Sequence, residues 1–345
     1  MSRKIRIFAK HKPHALGYCH LDDRARYWRR YDIVNLKSRF PMQLQTPTIS
    51  APAAIPQNTY ELGPITVVPT SSVIGAEIRG INIAEDLSSE TAIALTQAWH
   101  THLVLLFRDQ DLTPDQHIAF SAYFGMPQSP NRTSFTPLTE EYPEIVEVQN
   151  VGMDKERLDR SLGSAEAFWH TDMSYKPIPP LGSALYAREV PPTGGNTCVS
   201  NMYLAYDDLS AEQLAEIDGM TAVHDASRNS AGRLRPGFTD ERDPQKTPGP
   251  HHPLVRTHPE TRRKALFLGR RPYSFVPGLS LDESENLLDR LWGHATQEKY
   301  SWCHQWNIGD LLLWDNRCAM HRRDPFDMSH RRVMHRTQIA GNRPY

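Results

Sequence analysis

The chain has 345 residues, which is enough for one large or two ordinary domains. Its 39 Lys and Arg nearly balance 40 Asp and Glu, so the overall charge of −1 does not indicate a nucleic-acid or membrane partner. No apolar run reaches the roughly 18 residues that a membrane helix needs, and 27 prolines favour a fold rich in strands and loops over a helical bundle.

The near-neutral total hides a basic N-terminal segment. Residues 1–40 contain eleven Lys or Arg and three Asp, and residues 41–56 contain four prolines, which disfavour helix and central strand. We predict that residues 1–59 are a poorly ordered basic extension and that residues 60–345 form the folded domain. A targeting peptide or a nucleic-acid-binding arm is the alternative, although the segment lacks the apolar stretch of a signal peptide and the Ser content of a transit peptide.

Within the domain, short runs rich in Val, Ile and Thr predict strands, and capping sequences predict a few helices. Helices are expected after Thr113, Ser210 and Ser280, each followed three residues later by Gln or Glu. Many short strands with few helices predict a mostly β fold with flanking helices, a sandwich or a barrel. The predicted strands are 65–68, 76–83, 103–107, 145–148, 184–190, 265–268, 300–306, 311–314 and 332–339.

The four cysteines lie far apart in the sequence, with no C-x-x-C pair. This spacing argues against a disulfide scaffold or a zinc knuckle and favours a reducing, cytoplasmic location.

One of the sixteen histidines stands in an informative pattern, the sequence His170-Thr171-Asp172. In an extended segment, residues two apart project to the same face, so His170 and Asp172 can offer ligand atoms to one metal. A lone H-x-D pair can equally be structural. A second cluster, Trp314 to His321, follows the apolar run 311–313, and His321 can complete a face of two His and one carboxylate, typical of non-haem Fe(II) oxygenases.

Two arginines, Arg332 and Arg336, lie four residues apart in the last predicted strand, an even spacing that places both on one face. Each guanidinium can grip a carboxylate bidentately, so the pair predicts a pocket for two acids. An exposed basic strand edge is the alternative interpretation.

Taken in order, these motifs closely resemble the taurine dioxygenase / 2,4-dichlorophenoxyacetate dioxygenase family of Fe(II)- and 2-oxoglutarate-dependent enzymes. The resemblance covers residues 63 to 344, and the combination of motifs is far more specific than any one of them. It consists of His170-x-Asp172, Gly194-Gly195-Asn196-Thr197, Trp314-Asp315-Asn316-Arg317, His321 and Arg332-x-x-x-Arg336.

The resemblance implies a double-stranded β-helix, or jelly roll, and a reaction that consumes O2 and 2-oxoglutarate and releases succinate and CO2. By position, His170, Asp172 and His321 would be the iron ligands. Thr197 and Arg332 would then hold the distal carboxylate of 2-oxoglutarate. Arg336 would face the acidic group of the primary substrate.

The substrate class implied by the resemblance is a small organic acid, with an aryloxyalkanoate-like carboxylate favoured. Glu166 stands where taurine-specific enzymes carry an amide, and residues 124–131 lack the sulfonate-binding histidine of those enzymes. A taurine, alkylsulfonate or sulfate-ester substrate remains the alternative. We expect no membrane or nucleic-acid partner, and the sequence leaves a homo-oligomer open.

There are three rival interpretations of the sequence. A zinc hydrolase would use the His170, Asp172 and His321 face but has no need of Thr197 and Arg332. A non-catalytic binding protein would not need the full metal and cosubstrate set. An oxygenase acting on nucleic-acid bases would use the aromatic residues interleaved in the basic arm.

Deleting residues 1–55 is expected to leave activity and thermal stability unchanged, because the Pro-rich segment separates the basic arm from the domain. Melting temperature and turnover of the truncated and full-length chains test this. A melting temperature lower by several degrees, or the loss of a nucleic-acid affinity present in the full chain, would contradict it.

Overall fold

Strands outnumber helices in the computed structural model of the chain, which describes residues 55–129, 138–151, 168–228 and 234–345. Alternation of buried and exposed residues and the abundance of Val, Ile and Leu account for most of these strands. The strands within those ranges are β1 Tyr60–Leu62, β2 Ile65–Pro69, β3 Ala76–Arg79, β4 Val104–Phe107, β5 Val146–Gln149, β6 Gly182–Glu189, β7 Thr197–Asn201, β8 Thr221–Val223, β9 His251–Pro253, β10 Val255–Thr257, β11 Lys264–Leu266, β12 Ser301–His304, β13 Leu311–Asp315, β14 Ala319–Arg323 and β15 Val333–Ile339.

The helices of the described ranges begin at capping residues. The predicted capping boxes are present at Thr113, Ser210 and Ser280, where each hydroxyl accepts the backbone N–H three residues on and the Gln or Glu side chain bonds back. The helices are α1 Ser89–His102, α2 Pro114–Ala122, α3 Met202–Asp207, α4 Ala211–Ile217 and α5 Leu281–Ala295.

The strands form one large sheet and three smaller ones. The large sheet has the order β1-β2-β3-β4-β13-β6-β15-β5, and the three-stranded sheet has the order β12-β7-β14. Two-stranded sheets pair β10 with β11 and β8 with β9. All pairs in these sheets are antiparallel except β3 with β4. The prediction of a mostly β fold with flanking helices is therefore confirmed.

The central strand β13 separates two hydrophobic clusters. Leu311 and Leu313 pack in the cluster that contains α1 and α2 side chains, whereas Leu312 and Trp314 pack in the cluster that includes β7, β14 and α5. This division follows from the two-residue period of a strand, which sends alternate side chains to opposite faces. Because both faces of β13 are buried, its sequence is a continuous apolar run and does not alternate between apolar and polar residues.

The predicted strands agree with the structure to within a few residues at most ends. Sequence patterns missed six strands, namely β1, β7, β8, β9, β10 and β14. Each has five residues or fewer, and β7 and β14 also carry polar residues without simple alternation. Residues 1–54 lie outside the described ranges, so the predicted extension over residues 1–59 stays a prediction.

The spacing of the cysteines argued against disulfides, and this expectation was wrong for Cys198 and Cys303. Cys198 and Cys303 form a disulfide between β7 and β12, although 105 residues separate them in the sequence. The antiparallel register places them directly opposite each other. Sequence spacing cannot reveal a pairing of this kind, because it depends on the register of two distant strands. The expected cytoplasmic location stays a prediction.

Within the described ranges, no helix combines the length and the apolar character required to span a bilayer.

Replacing Leu312 by Ala is expected to destabilise the fold by about 2–5 kcal/mol, since this side chain is fully buried in the middle of the large sheet. Chemical denaturation measures the change. Ile308→Ala is the control, because Ile308 is 65% exposed and its truncation should change stability little. Equal losses from both variants would contradict the assignment of β13 as the core strand.

Candidate active site

Two backbone hydrogen bonds join His170 to His321. The N–H of His170 donates to the carbonyl of His321 at 2.8 Å, and the N–H of His321 donates to the carbonyl of His170 at 2.9 Å. The two rings consequently lie on the same side, with centroids 4.3 Å apart. His321 belongs to β14, so this ladder fixes His170 although its own segment is not a regular strand.

Asp172 reaches the same point from two residues further along the chain. The backbone N–H of the intervening Thr171 donates to the carbonyl of Gly269 at 2.9 Å, which ties this segment to the rest of the domain. The Oδ1 atom of Asp172 lies 4.0 Å from Nε2 of His170 and 3.9 Å from Nε2 of His321. The ligand atoms of the three residues all lie within 4.8 Å of one another, and all three side chains are buried.

The hydrogen bonds and pKa values suit a metal at this point. Nδ1 of His170 lies 2.8 Å from the carbonyl oxygen of Phe168, which can only accept, so Nδ1 carries a proton and, in the neutral ring, Nε2 is the nitrogen that presents a lone pair. Burial lowers the pKa of His321 well below its ordinary value. Burial alone would raise the pKa of Asp172, but the Arg336 guanidinium beside it holds that pKa well below its usual range. Neutral imidazoles and an ionised carboxylate are the forms that bind a divalent metal.

A second buried group, His258, Asp315 and Cys318, also has ligand atoms close together. Its carboxylate is already bound, however: Nε of Arg317 donates to Oδ1 of Asp315 at 2.8 Å and Nη2 donates to Oδ2 at 2.6 Å. A guanidinium at this carboxylate opposes a second cation, so this group is a structural ion-pair network.

A small pocket opens beside His321. Thr197, at the start of β7, faces it, and the indole Nε1 of Trp306 donates to the Thr197 hydroxyl oxygen at 3.0 Å. This leaves the hydroxyl hydrogen of Thr197 to be donated elsewhere. The lining residues are Leu185, Thr197, Trp314, His321, Arg322, Arg323 and Arg336.

The two predicted arginines are both buried and lie at different points of this region. Nη1 of Arg336 donates to Oδ1 of Asp172 at 3.0 Å. Nε of Arg332 donates to the carbonyl of Gly195 at 3.3 Å, two residues before Thr197. Gly195 has φ +66°, and a Cβ there would lie 3.2 Å from Nε of Arg332, so glycine permits this close approach.

Sequence analysis assigned no role to Ser183, which contacts Asp172 directly, or to Asn316, which contacts Ser183. The Ser183 hydroxyl donates to Oδ2 of Asp172 at 2.7 Å. Nδ2 of Asn316 donates to the Ser183 hydroxyl oxygen at 3.1 Å. Asn316 was part of the recognised motif around Trp314, but no local signal in the sequence identifies Ser183.

The structure brings His170, Asp172 and His321 together as the sequence analysis expected, and it places Thr197 and Arg336 at the adjoining cavity. The ring of Trp314 packs 4.6 Å from that of His321, so this tryptophan is both a core residue and a neighbour of the site. Of the positions used to judge the substrate, Glu166 and residues 130–131 lie outside the described residues.

A compact face of two His and one carboxylate, beside a cavity lined by arginines, defines a mononuclear metal enzyme of the non-haem iron oxygenase class. Comparison with known proteins identifies the family. Residues 63–338 match the family described as taurine catabolism dioxygenase TauD, TfdA family, and the chain belongs to it.

Similar proteins share most of this domain. The 2,4-dichlorophenoxyacetate dioxygenase of Cupriavidus pinatubonensis, which depends on α-ketoglutarate, is 36% identical over 78% of this chain and 95% of its own length. The (S)-phenoxypropionate/α-ketoglutarate dioxygenase of Sphingobium herbicidovorans is 34% identical over 80% of this chain and 95% of its own length.

A solved structure, AAD-2 in complex with Mn(II) and N-oxalylglycine, aligns with a TM-score of 0.70 at 34% identity, covering 81% of this chain and 98% of AAD-2. With these relatives, the chain is an iron-dependent dioxygenase that uses 2-oxoglutarate and O2 as cosubstrates. The zinc hydrolase and the non-catalytic interpretations are therefore wrong.

Single alanine substitutions of His170, Asp172 or His321 are expected to abolish turnover while the fold survives, because a three-ligand site that loses one member binds its metal poorly. Mn(II) binding to the metal-free protein and succinate formation measure this. His251→Ala is the control, since His251 is exposed and lies outside the cluster. Near-normal succinate production by Asp172→Ala would contradict the assignment.

Proposed function

We propose that the chain folds as a double-stranded β-helix and oxidises a small organic acid, an aryloxyalkanoate-like carboxylate being favoured, with release of succinate and CO2. One observation carries this proposal. The converging ligand atoms of His170, Asp172 and His321 stand beside a cavity that presents both a hydroxyl, from Thr197, and a guanidinium, from Arg336. The ligand atoms can bind a metal, the hydroxyl can donate to a keto acid, and the guanidinium can bind an anionic substrate.

His170, Asp172 and His321 are the proposed Fe(II) ligands. The bound iron supplies the activation of O2 and the oxidative decarboxylation of 2-oxoglutarate. The protein's part is to direct the Nε2 atoms of both imidazoles towards one point, to keep His321 neutral through burial and to keep Asp172 ionised. It also limits the site to three protein ligands, which leaves coordination positions for the cosubstrates.

Thr197 and Arg332 are the proposed partners of the distal carboxylate of 2-oxoglutarate. Trp306 occupies the acceptor side of the Thr197 hydroxyl, so that hydroxyl can donate to a carboxylate. Arg332 is 3% exposed, and its Nε donates to the carbonyl of Gly195, two residues before Thr197 in the sequence. A guanidinium can bind a carboxylate through two hydrogen bonds.

Arg336 is the proposed anchor for the acidic group of the primary substrate. Its guanidinium contacts Oδ1 of Asp172, the oxygen that points towards both histidines. A divalent cation competes for that oxygen and repels the guanidinium. Because Arg336 is also buried, an entering carboxylate offers it a replacement partner within the same cavity.

Substrate identity requires a direct screen. The 2-oxoglutarate turnover of the purified enzyme is to be measured with aryloxyacetates, aryloxypropionates, sulfonates and sulfate esters. We expect the carboxylates to support the fastest coupled turnover. Faster turnover with a sulfonate or sulfate ester would replace the favoured class by the alternative one, whereas the absence of coupled turnover with every acid would overturn the acid-substrate proposal.

Arg332→Ala and Arg336→Ala are expected to fail differently, because they are assigned to different acids. Losing Arg332 should raise the KM for 2-oxoglutarate about tenfold or more, since a charge-assisted contact is worth about 1.5–3 kcal/mol. Losing Arg336 should weaken the primary substrate by a similar factor and leave uncoupled 2-oxoglutarate decay intact. Steady-state kinetics with each substrate varied in turn measure both effects.

Two further variants sharpen this comparison. Arg336→Lys should restore substrate affinity only in part, because an ammonium keeps the charge but loses the planar fork. Arg331→Ala is the matched control: Arg331 adjoins Arg332 but is exposed and pairs with Glu189 at 2.6 Å, so its loss should change neither constant. Equal increases in the 2-oxoglutarate KM from Arg332→Ala and Arg336→Ala, with substrate affinity untouched, would remove Arg336 as the anchor.

A further inference from the structure

The two oxygens of the Asp172 carboxylate have different surroundings. Oδ1 lies about equally far from Nε2 of His170 and Nε2 of His321, at 4.0 and 3.9 Å. Oδ2 instead accepts the hydrogen bond from Ser183, a fully buried residue of β6. The carboxylate therefore faces the two imidazoles through Oδ1, which also accepts from Nη1 of Arg336 at 3.0 Å, and bonds Ser183 through Oδ2.

The hydrogen bond from Ser183 belongs to a chain whose direction is determined. The indole Nε1 of Trp314, which can only donate, bonds Oδ1 of Asn316 at 2.9 Å. That contact fixes the orientation of the amide, so its Nδ2 group faces Ser183 and donates to the hydroxyl oxygen. With its acceptor side occupied, the Ser183 hydroxyl directs its single hydrogen at Oδ2 of Asp172.

The sheet register creates this chain. Trp314 of β13 and Ser183 of β6 are directly opposite each other in the antiparallel pair. The turn after β13 then brings Asn316 back over Ser183, and its backbone N–H donates to the carbonyl of Leu181 at 2.9 Å. Asn316, Ser183 and Trp314 are all buried, so water does not compete for these bonds.

We propose that Trp314, Asn316 and Ser183 form a positioning relay that holds the Asp172 carboxylate in a one-oxygen binding mode. A carboxylate that turns freely about its last bond can offer a metal either oxygen or both. Two-oxygen binding would occupy a coordination position that the cosubstrates need. By engaging Oδ2, the relay keeps that position open and orients Oδ1 before any metal binds.

This inference rests on the proposed role of Asp172 as a metal ligand. It adds a role for Ser183, which is to position the Asp172 carboxylate. Ser183 does not reach the metal position itself. It acts through Asp172, so removing it should change metal binding more than it changes the fold.

The test compares Ser183→Ala with Ser200→Ala in the full-length, metal-free protein. Ser200 is also a fully buried strand serine, but its hydroxyl donates to the carbonyl of Ala295, the last residue of α5, at 2.8 Å. Mn(II) titration followed by electron paramagnetic resonance gives the affinity, and thermal unfolding gives the stability. We expect Ser183→Ala to weaken Mn(II) binding about tenfold or more, and Ser200→Ala to lower the melting temperature without changing Mn(II) affinity.

Two variants keep the test decisive if Ser183→Ala folds poorly. Ser183→Thr retains a hydroxyl and should restore most of the affinity. Asn316→Ala removes the donor that orients Ser183 and should weaken Mn(II) binding in the same direction. In the double variant with Ser183→Ala, the two losses should be less than additive, because both break one chain.

The outcomes separate this inference from the proposed function. If Asp172→Ala keeps full Mn(II) affinity, the proposed metal site itself is wrong. If Asp172→Ala loses Mn(II) but Ser183→Ala and Asn316→Ala bind it with unchanged affinity, the relay is rejected while the proposed function stands. Equal weakening by Ser200→Ala would also reject the relay, since the effect would then follow general stability.

Discussion

The reciprocal backbone hydrogen bonds between His170 and His321 are the constraint on which the candidate site depends. They join two parts of the chain that are 151 residues apart and set both rings on one side of a short ladder. The same strand that carries His321 pairs with β7, where Arg323 lies opposite Thr197. One strand, β14, therefore relates the metal position to the cavity wall where the cosubstrate is proposed to bind.

Buried charge gives the site its second constraint. Within the described residues, Asp172 pairs with Arg336 and Asp315 pairs with Arg317, and all four side chains are nearly inaccessible to water. The Asp315–Arg317 pair closes the turn after β13 and so supports Asn316. In the Asp172–Arg336 pair, Arg336 lines the cavity, and we propose that incoming ions rearrange this pair. Both are buried Asp–Arg pairs. The Asp315–Arg317 pair stabilises the fold, whereas the Asp172–Arg336 pair is the one whose partners we propose to change when ligands bind.

Many of the helices and strands could be predicted because the sequence patterns that indicate them are local. The capping boxes at Thr113 and Ser280 act over three residues, and the apolar run 311–313 indicates a strand buried on both faces. The His170-x-Asp172 spacing likewise predicts that both side chains lie on the same face of the chain. These features need only the period of a strand or the first turn of a helix to be understood, so the sequence by itself determined them, together with the family to which the chain belongs.

Only the tertiary structure decided which distant groups meet. The disulfide between Cys198 and Cys303, the contact of Trp306 with Thr197 and the hydrogen bond from Ser183 to Asp172 all depend on strand register. A register is set by the pairing of whole strands and by the packing of both sheet faces, and a shift of one residue would turn every side chain to the opposite face. No short sequence pattern contains that information, which explains why the candidate metal ligands could be recognised from the sequence and the residues that contact them could not.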